Sequence, residues 1–147
     1  MGKSIRELDI SMQKRAQSAY DCMNADKSLK NLGVESVAIS ETKRDLLVQI
    51  AYYCKGRMEP ADVKRVYARV GLYDPSEEEC KQKVTWTLNS KHIEGKAIDF
   101  VPVKNGNYWW TAPDEVWERM GVIGEQCGLQ WGGRWEGDQK DRPHFQM

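Results

Sequence analysis

Only two histidines occur in this chain of 147 residues, and each stands in a short polar stretch with an aspartate close by. "SKHIEGKAID", residues 90–99, holds His92 and Asp99; the closing "DRPHFQM" holds Asp141 and His144. Imidazole and carboxylate are the side chains that carry protons near neutral pH or hold divalent metals. Asp99 lies between Ile98 and Phe100 in an apolar run, where an ionised carboxylate is costly to bury unless something pairs with its charge. A metal ion would do so. Gly95 lets the chain turn back so that His92 and Asp99 converge, and Pro143 pins an extended backbone just before His144. Two histidines and one carboxylate make a three-ligand zinc site with its fourth position open, and a spare carboxylate beside it suits metal-assisted hydrolysis. On the residues alone a second reading stands beside this one: His92 as a surface loop residue and His144 as a packed terminal one.

The elements that must position these residues read as follows. Met12, Ala16, Ala19, Tyr20 and Met23 recur at helical spacing, giving an amphipathic helix over roughly 8–25. "NLGVESVAISET" reads as a loop through Gly33 and then a strand with Val37 and Ile39 on one face. Helical spacing returns from Asp45 to Gly56, and Pro60 opens a further helix that ends at Gly71. "DPSEEECKQK" reads as a charged loop, while "VTWTL" and "KAIDFVPV" read as strands. The Asn-Gly of "NGNYWW" marks a hairpin turn. Asp114 or Thr111 is the expected cap of a helix carrying Val116, Trp117, Met120, Ile123 and Cys127 and stopped by Gly128. "LQW" and "HFQM" complete the strands. Helices first and short strands later predict an α+β fold with a small, mostly antiparallel sheet.

Composition narrows the function. Lysine and arginine number 22 and aspartate and glutamate 22, so no bulk charge holds the chain on nucleic acid. No run of about 18 apolar residues spans a membrane, and "MGKSIRELDISMQKR" lacks the apolar core of a secretory signal. Cys22, Cys54, Cys80 and Cys127 are scattered, which predicts free thiols and argues against a multi-cysteine zinc site. Five of the six tryptophans fall between Trp109 and Trp135, a density that suits either core or the wall of a binding groove. The length predicts one domain over 1–147.

"SKHIEGKAIDF" resembles the S-x-H-x-x-G-x-A-x-D motif of the zinc D-alanyl-D-alanine carboxypeptidases and dipeptidases. "WGGRWEGDQKDRPHFQM" is similar to the closing W-G-G-x-W…D-x-P-H-F segment of one branch, the phage L-alanyl-D-glutamate peptidases, endolysins that cut the peptide stems of bacterial cell walls. The resemblance covers the chain from about residue 34 onward. It implies the zinc DD-peptidase-like (Hedgehog-like) fold, zinc as cofactor, His92, Asp99 and His144 as its ligands, and Asp141 as catalytic base where other branches carry glutamate. In "ETKRDLLVQIAYYCKGR" an arginine followed five residues later by glutamine resembles the family's substrate-contacting pair, which assigns Arg44 and Gln49 to that role. The family's usual glycine-tyrosine-arginine stands here as Thr42-Lys43-Arg44. Ser90 is the expected supporting donor beside His92 at the substrate. Arg44 also stands at a strand-to-helix junction, and a guanidinium suits a substrate carboxylate.

The resemblance thus implies a monomeric endopeptidase acting on the L-alanyl-D-glutamate bond of peptidoglycan stem peptides. Such an enzyme has no nucleic-acid partner, no membrane insertion and no separate wall-binding domain. It is made in the host cytoplasm without a signal peptide and reaches the wall after holin-type release. Two other functions remain open: a D,D-carboxypeptidase or dipeptidase on the same polymer, and a non-catalytic zinc binding module.

Overall fold

The computed structural model describes residues 2–147. Helix α1 (Ile10–Ala25) starts at Asp9, whose carboxylate accepts from the Ser11 N–H, and buries Met12, Ala16, Ala19 and Met23. A short α2 (Lys27–Asn31) leads to strand β1 (Ser36–Glu41). Helices α3 (Leu46–Cys54), α4 (Pro60–Arg69) and α5 (Glu77–Cys80) follow. Strand β2 (Ala97–Lys104), β3 (Asn107–Tyr108), α6 (Asp114–Gln126), β4 (Gln130–Trp131) and β5 (His144–Gln146) complete the chain.

Among the described residues the sheet runs in the order β1-β2-β5-β4, with β3 folded back on the end of β2, and every pairing is antiparallel. The fold is α+β, as the order of elements predicts. Asn105 and Gly106 take positive φ of 54° and 73°, the conformation that a two-residue hairpin needs. The core lies between the sheet and the pair α1 and α6, built from Met12, Met23, Ile98, Phe100, Val116, Met120, Trp131 and Phe145 among others. The first helix is tied to the sheet directly, because the Asn24 side chain bonds both the N–H and the C=O of Val37. A smaller cluster of Ala51, Val63, Tyr67 and Cys80 holds α3, α4 and α5 together.

Three expectations fail locally. "VTWTL" forms no strand: side chains take the carbonyls that a partner strand would have used, Gln49 bonding Thr87 O and Arg57 bonding Thr85 O. The charged "DPSEEECKQK" contains α5, since Ser76 caps the Glu79 N–H and Cys80 is buried as its anchor. Neither Thr111 nor Asp114 caps α6. Pro113 occupies that position without a side-chain bond, while Asp114 and Glu115 sit in the first turn, where the helix dipole favours acids. All four cysteines are free thiols. No helix among the described residues is long and apolar enough to cross a membrane.

Candidate active site

The sheet assembles the site in one row. Glu41 of β1 pairs with Asp99 of β2, which pairs on its other side with His144 of β5. Directly opposed residues in antiparallel strands project from the same face, so the register alone brings these three side chains together. A bulge between Ile39 and Glu41 brings Glu41 into that row. His92 joins from the turn before β2. Gly95 has φ of +72°, and its carbonyl accepts from the Asp9 N–H at 2.9 Å, anchoring the turn on the start of α1.

Three donor atoms form a nearly equilateral triangle. His92 Nε2 lies 3.2 Å from Asp99 Oδ1 and 3.2 Å from His144 Nδ1, and the third side, His144 Nδ1 to Asp99 Oδ1, is 3.3 Å. Tetrahedral zinc with ligands at about 2.0–2.1 Å separates its donors by roughly 3.3 Å, so the triangle is one face of such a site. The ring atoms turned away from the triangle are both engaged. His92 Nδ1 is 2.7 Å from the Thr42 carbonyl, and His144 Nε2 is 2.8 Å from Gln146 Oε1. The Thr42 carbonyl can only accept, so His92 carries its proton on Nδ1 and presents a lone pair at Nε2. The amide oxygen of Gln146 fixes His144 in the opposite tautomer. Both histidines are buried. The donor set fits a small divalent cation.

Electrostatics agree with that reading. Burial alone would raise the Asp99 carboxyl, but in the metal-free protein the two imidazoles, when protonated on the ring nitrogens that face it, hold it well below the usual carboxylate range through hydrogen bonds and charge. Burial, the largest single influence, would lower His144, but its bond to Asp99 together with the charges of Asp99 and Asp141 and the bond to Gln146 outweighs this and raises it. Asp141 is pushed up to about 6, first by burial and then by the nearby Asp99 charge. Its Oδ2 is 4.0 Å from His144 Nδ1, close to the triangle but not part of it. Gly132 makes that approach feasible: a Cβ there would meet the Asp141 carbonyl at 2.4 Å, and the Gly132 carbonyl accepts from the Asp141 N–H.

A cleft of about 830 Å³ opens over the triangle, walled by Arg44, Tyr52, Ser90, Trp135 and Asp141 with the segment 83–89. Arg44 is held through its backbone and both terminal guanidinium nitrogens, while its buried Nε has no hydrogen-bond partner. Its backbone N–H donates to the His92 carbonyl, its guanidinium pairs with Glu41 and donates to Gln49 Oε1, and it stacks 4.9 Å from the Tyr52 ring centre. Gln49 is wholly buried beneath Arg44 and outside the cleft wall, its amide donating to Thr85 Oγ1 and the Thr87 carbonyl. Its contact is therefore with Arg44 and the cleft segment rather than with open space. Ser90 Oγ accepts from the His92 N–H and fixes the turn.

Glu41 escapes a reading of the sequence. It is 6% exposed, paired with Arg44, and 3.5 Å from His92 Nδ1. An acid ending the otherwise ordinary strand "SVAISE" gives no local signal; only the bulge and the register reveal its position. The solvated loop charges Glu94, Glu136 and Asp138 stay outside the triangle, and all three are exposed.

Residues 83–147 match the family model described as D-alanyl-D-alanine carboxypeptidase. No curated protein matches the chain. The fold is similar to that of the Serratia marcescens L-Ala D-Glu endopeptidase ChiX, with a TM-score of 0.56 and 23% identity over 97% of this chain and 82% of that one. Arg44 and Gln49 lie outside the matched segment, whereas all three triangle residues and Asp141 lie within it. The stretch that carries the metal-binding geometry is therefore the stretch that carries the likeness to the D-alanyl-D-alanine carboxypeptidase family.

Proposed function

We propose that the chain is a zinc-dependent endopeptidase that hydrolyses the L-alanyl-D-glutamate bond of peptidoglycan stem peptides, a phage or prophage endolysin. The triangle of donor atoms at 3.2–3.3 Å carries the metallopeptidase part of this reading. The similarity in fold to a solved L-Ala D-Glu endopeptidase supports the choice of bond, as does the closing "WGGRWEGDQKDRPHF".

His92 Nε2, Asp99 Oδ1 and His144 Nδ1 would hold the ion. Zinc, when bound there, would acidify a water and polarise the scissile carbonyl. Asp141, with its carboxyl raised toward neutrality, takes the proton from the attacking water at Oδ2 and returns it to the leaving amine. Arg44 binds a substrate carboxylate, the α-carboxylate of D-glutamate being the one beside the scissile bond. Its anchors, Glu41, Gln49 and Tyr52, fix the guanidinium before substrate arrives, so little side-chain entropy remains to be lost. Ser90 serves the substrate side of the same turn that sets His92.

A second reading is favoured by the description of the matching family model, which names a carboxypeptidase on D-alanyl-D-alanine. Digestion of purified muropeptides followed by mass analysis separates the two. Products ending in a lone L-alanine on muramic acid are expected. Release of D-alanine with the L-alanyl-D-glutamate bond intact would overturn the endopeptidase reading in favour of the carboxypeptidase.

A further inference from the structure

A second hollow of about 310 Å³ adjoins the cleft, and Lys140 and Asp141 are walls of both. Its other walls are Trp110, Trp117, Arg142 and Pro143. Trp110 is 52% exposed and Tyr108 beside it 40%, an accessible aromatic pair. Trp110 stacks on Trp117 at 6.5 Å with the rings only 19° apart, and Tyr108 packs edge-on against it at 5.9 Å. Trp117 is 2% exposed, yet its indole N–H has no hydrogen-bond partner. A buried donor without an acceptor typically costs about 1–3 kcal/mol, so the Trp117 side chain is held there by its packing against Trp110. Arg142 closes one edge, its guanidinium held 2.7 Å from Asp114 at the start of α6.

We propose that this hollow is a sugar subsite, holding the N-acetylated hexosamine to which the stem peptide is attached. This rests on the endopeptidase reading above and extends it to the far end of the substrate. The exposed indole face of Trp110 suits the apolar face of a pyranose ring, and Lys140 and Arg142 beside it can donate to the ring's hydroxyl and acetamido oxygens. The volume sits at the small end of ligand pockets, which run about 300–1,000 Å³, and admits one ring rather than a strand. Connectivity supplies the rest. In peptidoglycan L-alanine is joined to the lactyl group of the sugar, so one residue separates the ring from the bond to be cut. A hollow that shares the walls Lys140 and Asp141 with the cleft adjoins the bond to be cut. Arg44 lines the cleft only, so the glutamate end and the sugar end meet different walls and the substrate binds in one direction.

The test uses the zinc-loaded protein and N-acetylmuramyl-L-alanine, which has no L-alanyl-D-glutamate bond, so binding is read independently of which bond the enzyme cuts. In a titration followed by NMR, the Trp110 and Trp117 indole N–H signals are expected to shift with this probe and to stay in place with the sugar-free dipeptide L-alanyl-D-glutamate. Trp110→Ala should weaken the sugar's binding at least about tenfold, and Trp110→Tyr should restore most of it. In turnover, the ratio of kcat/KM for sugar-bearing over sugar-free stem peptide should fall toward one in Trp110→Ala. Absent shifts with the sugar, or equal shifts with the dipeptide, would overturn the subsite even if the variant failed to fold. Shifts with the sugar in a protein that leaves the L-alanyl-D-glutamate bond intact would keep the subsite and remove the endopeptidase reading instead.

Discussion

His92 and His144 meet through different ring nitrogens, Nε2 of one lying 3.2 Å from Nδ1 of the other, and each ring is fixed in that orientation by an acceptor on its far side. Without an ion, a proton must sit between the two nitrogens or their lone pairs repel; with one, both lone pairs are used. His92→Ala or His144→Ala should therefore leave the protein without stoichiometric zinc and without measurable cleavage, as read by metal analysis and muropeptide turnover. Stoichiometric zinc in either variant would dismiss the triangle as the metal site. Replacing the acceptor instead, as in Gln146→Leu, should weaken zinc affinity by roughly 10–100-fold while leaving the ligands in place.

Zinc should stabilise the protein more as pH rises. In the metal-free chain, His144 has its pKa raised and Asp141 is raised to about 6. Both bind protons more tightly folded than unfolded, so what they contribute is present at low pH and is lost as pH climbs through their folded values. Asp99 is depressed, so its contribution is present above the ordinary carboxylate range and is lost only as pH falls below about 4. Between about pH 5 and pH 8 the metal-free melting temperature should thus fall. The same deprotonations favour the ion, so the gap in Tm between zinc-loaded and chelator-treated protein should widen over that window. A gap that is constant or narrows would contradict the assignment.

Arg44→Ala should lower kcat/KM on stem peptides by about 10–100-fold, the worth of one charge-assisted hydrogen bond, with zinc content unchanged. Amidating the D-glutamate α-carboxylate should hurt the wild type more than the variant. Glu41→Gln removes the charge that anchors the guanidinium and should show a smaller loss of the same kind, carried mostly in KM. Equal losses on amidated and free substrates would mean that Arg44 serves the fold and not the carboxylate.

How much of this was legible in the sequence differs from residue to residue. His92, Asp99 and His144 were legible because each stands in a short motif whose neighbours, Gly95 and Pro143, announce the turn and the extended approach. Helices α1, α3, α4 and α6 were legible from apolar spacing, which reports burial directly. The row Glu41–Asp99–His144 was not, because strand register is set by pairing between segments more than 40 residues apart. "VTWTL" misled for a related reason: its alternation is genuine, but Gln49 and Arg57 reach its carbonyls before any strand does. The burial of Gln49 was hidden too, since no local pattern distinguishes an amide under an arginine from one facing substrate.

Asp141 tests the chemistry apart from the binding. It follows Gly132 by hydrogen bond and precedes His144 by three residues, so its carboxylate is tethered near the triangle while its Oδ2 remains 4.0 Å from His144 Nδ1. That separation exceeds every side of the donor triangle, so Asp141 stands outside the triangle, where the proposed base is expected. Asp141→Asn keeps the shape and loses the ability to take a proton. General-base catalysis contributes about 10²–10⁴-fold, so turnover should fall on that order with zinc content near one per chain. The acidic limb of the pH profile, which reports the free carboxylate, should disappear with it. Wild-type turnover in this variant would remove Asp141 from the mechanism. Loss of zinc together with activity would move it into the ligand set, and one corner of the triangle would then belong to a different role.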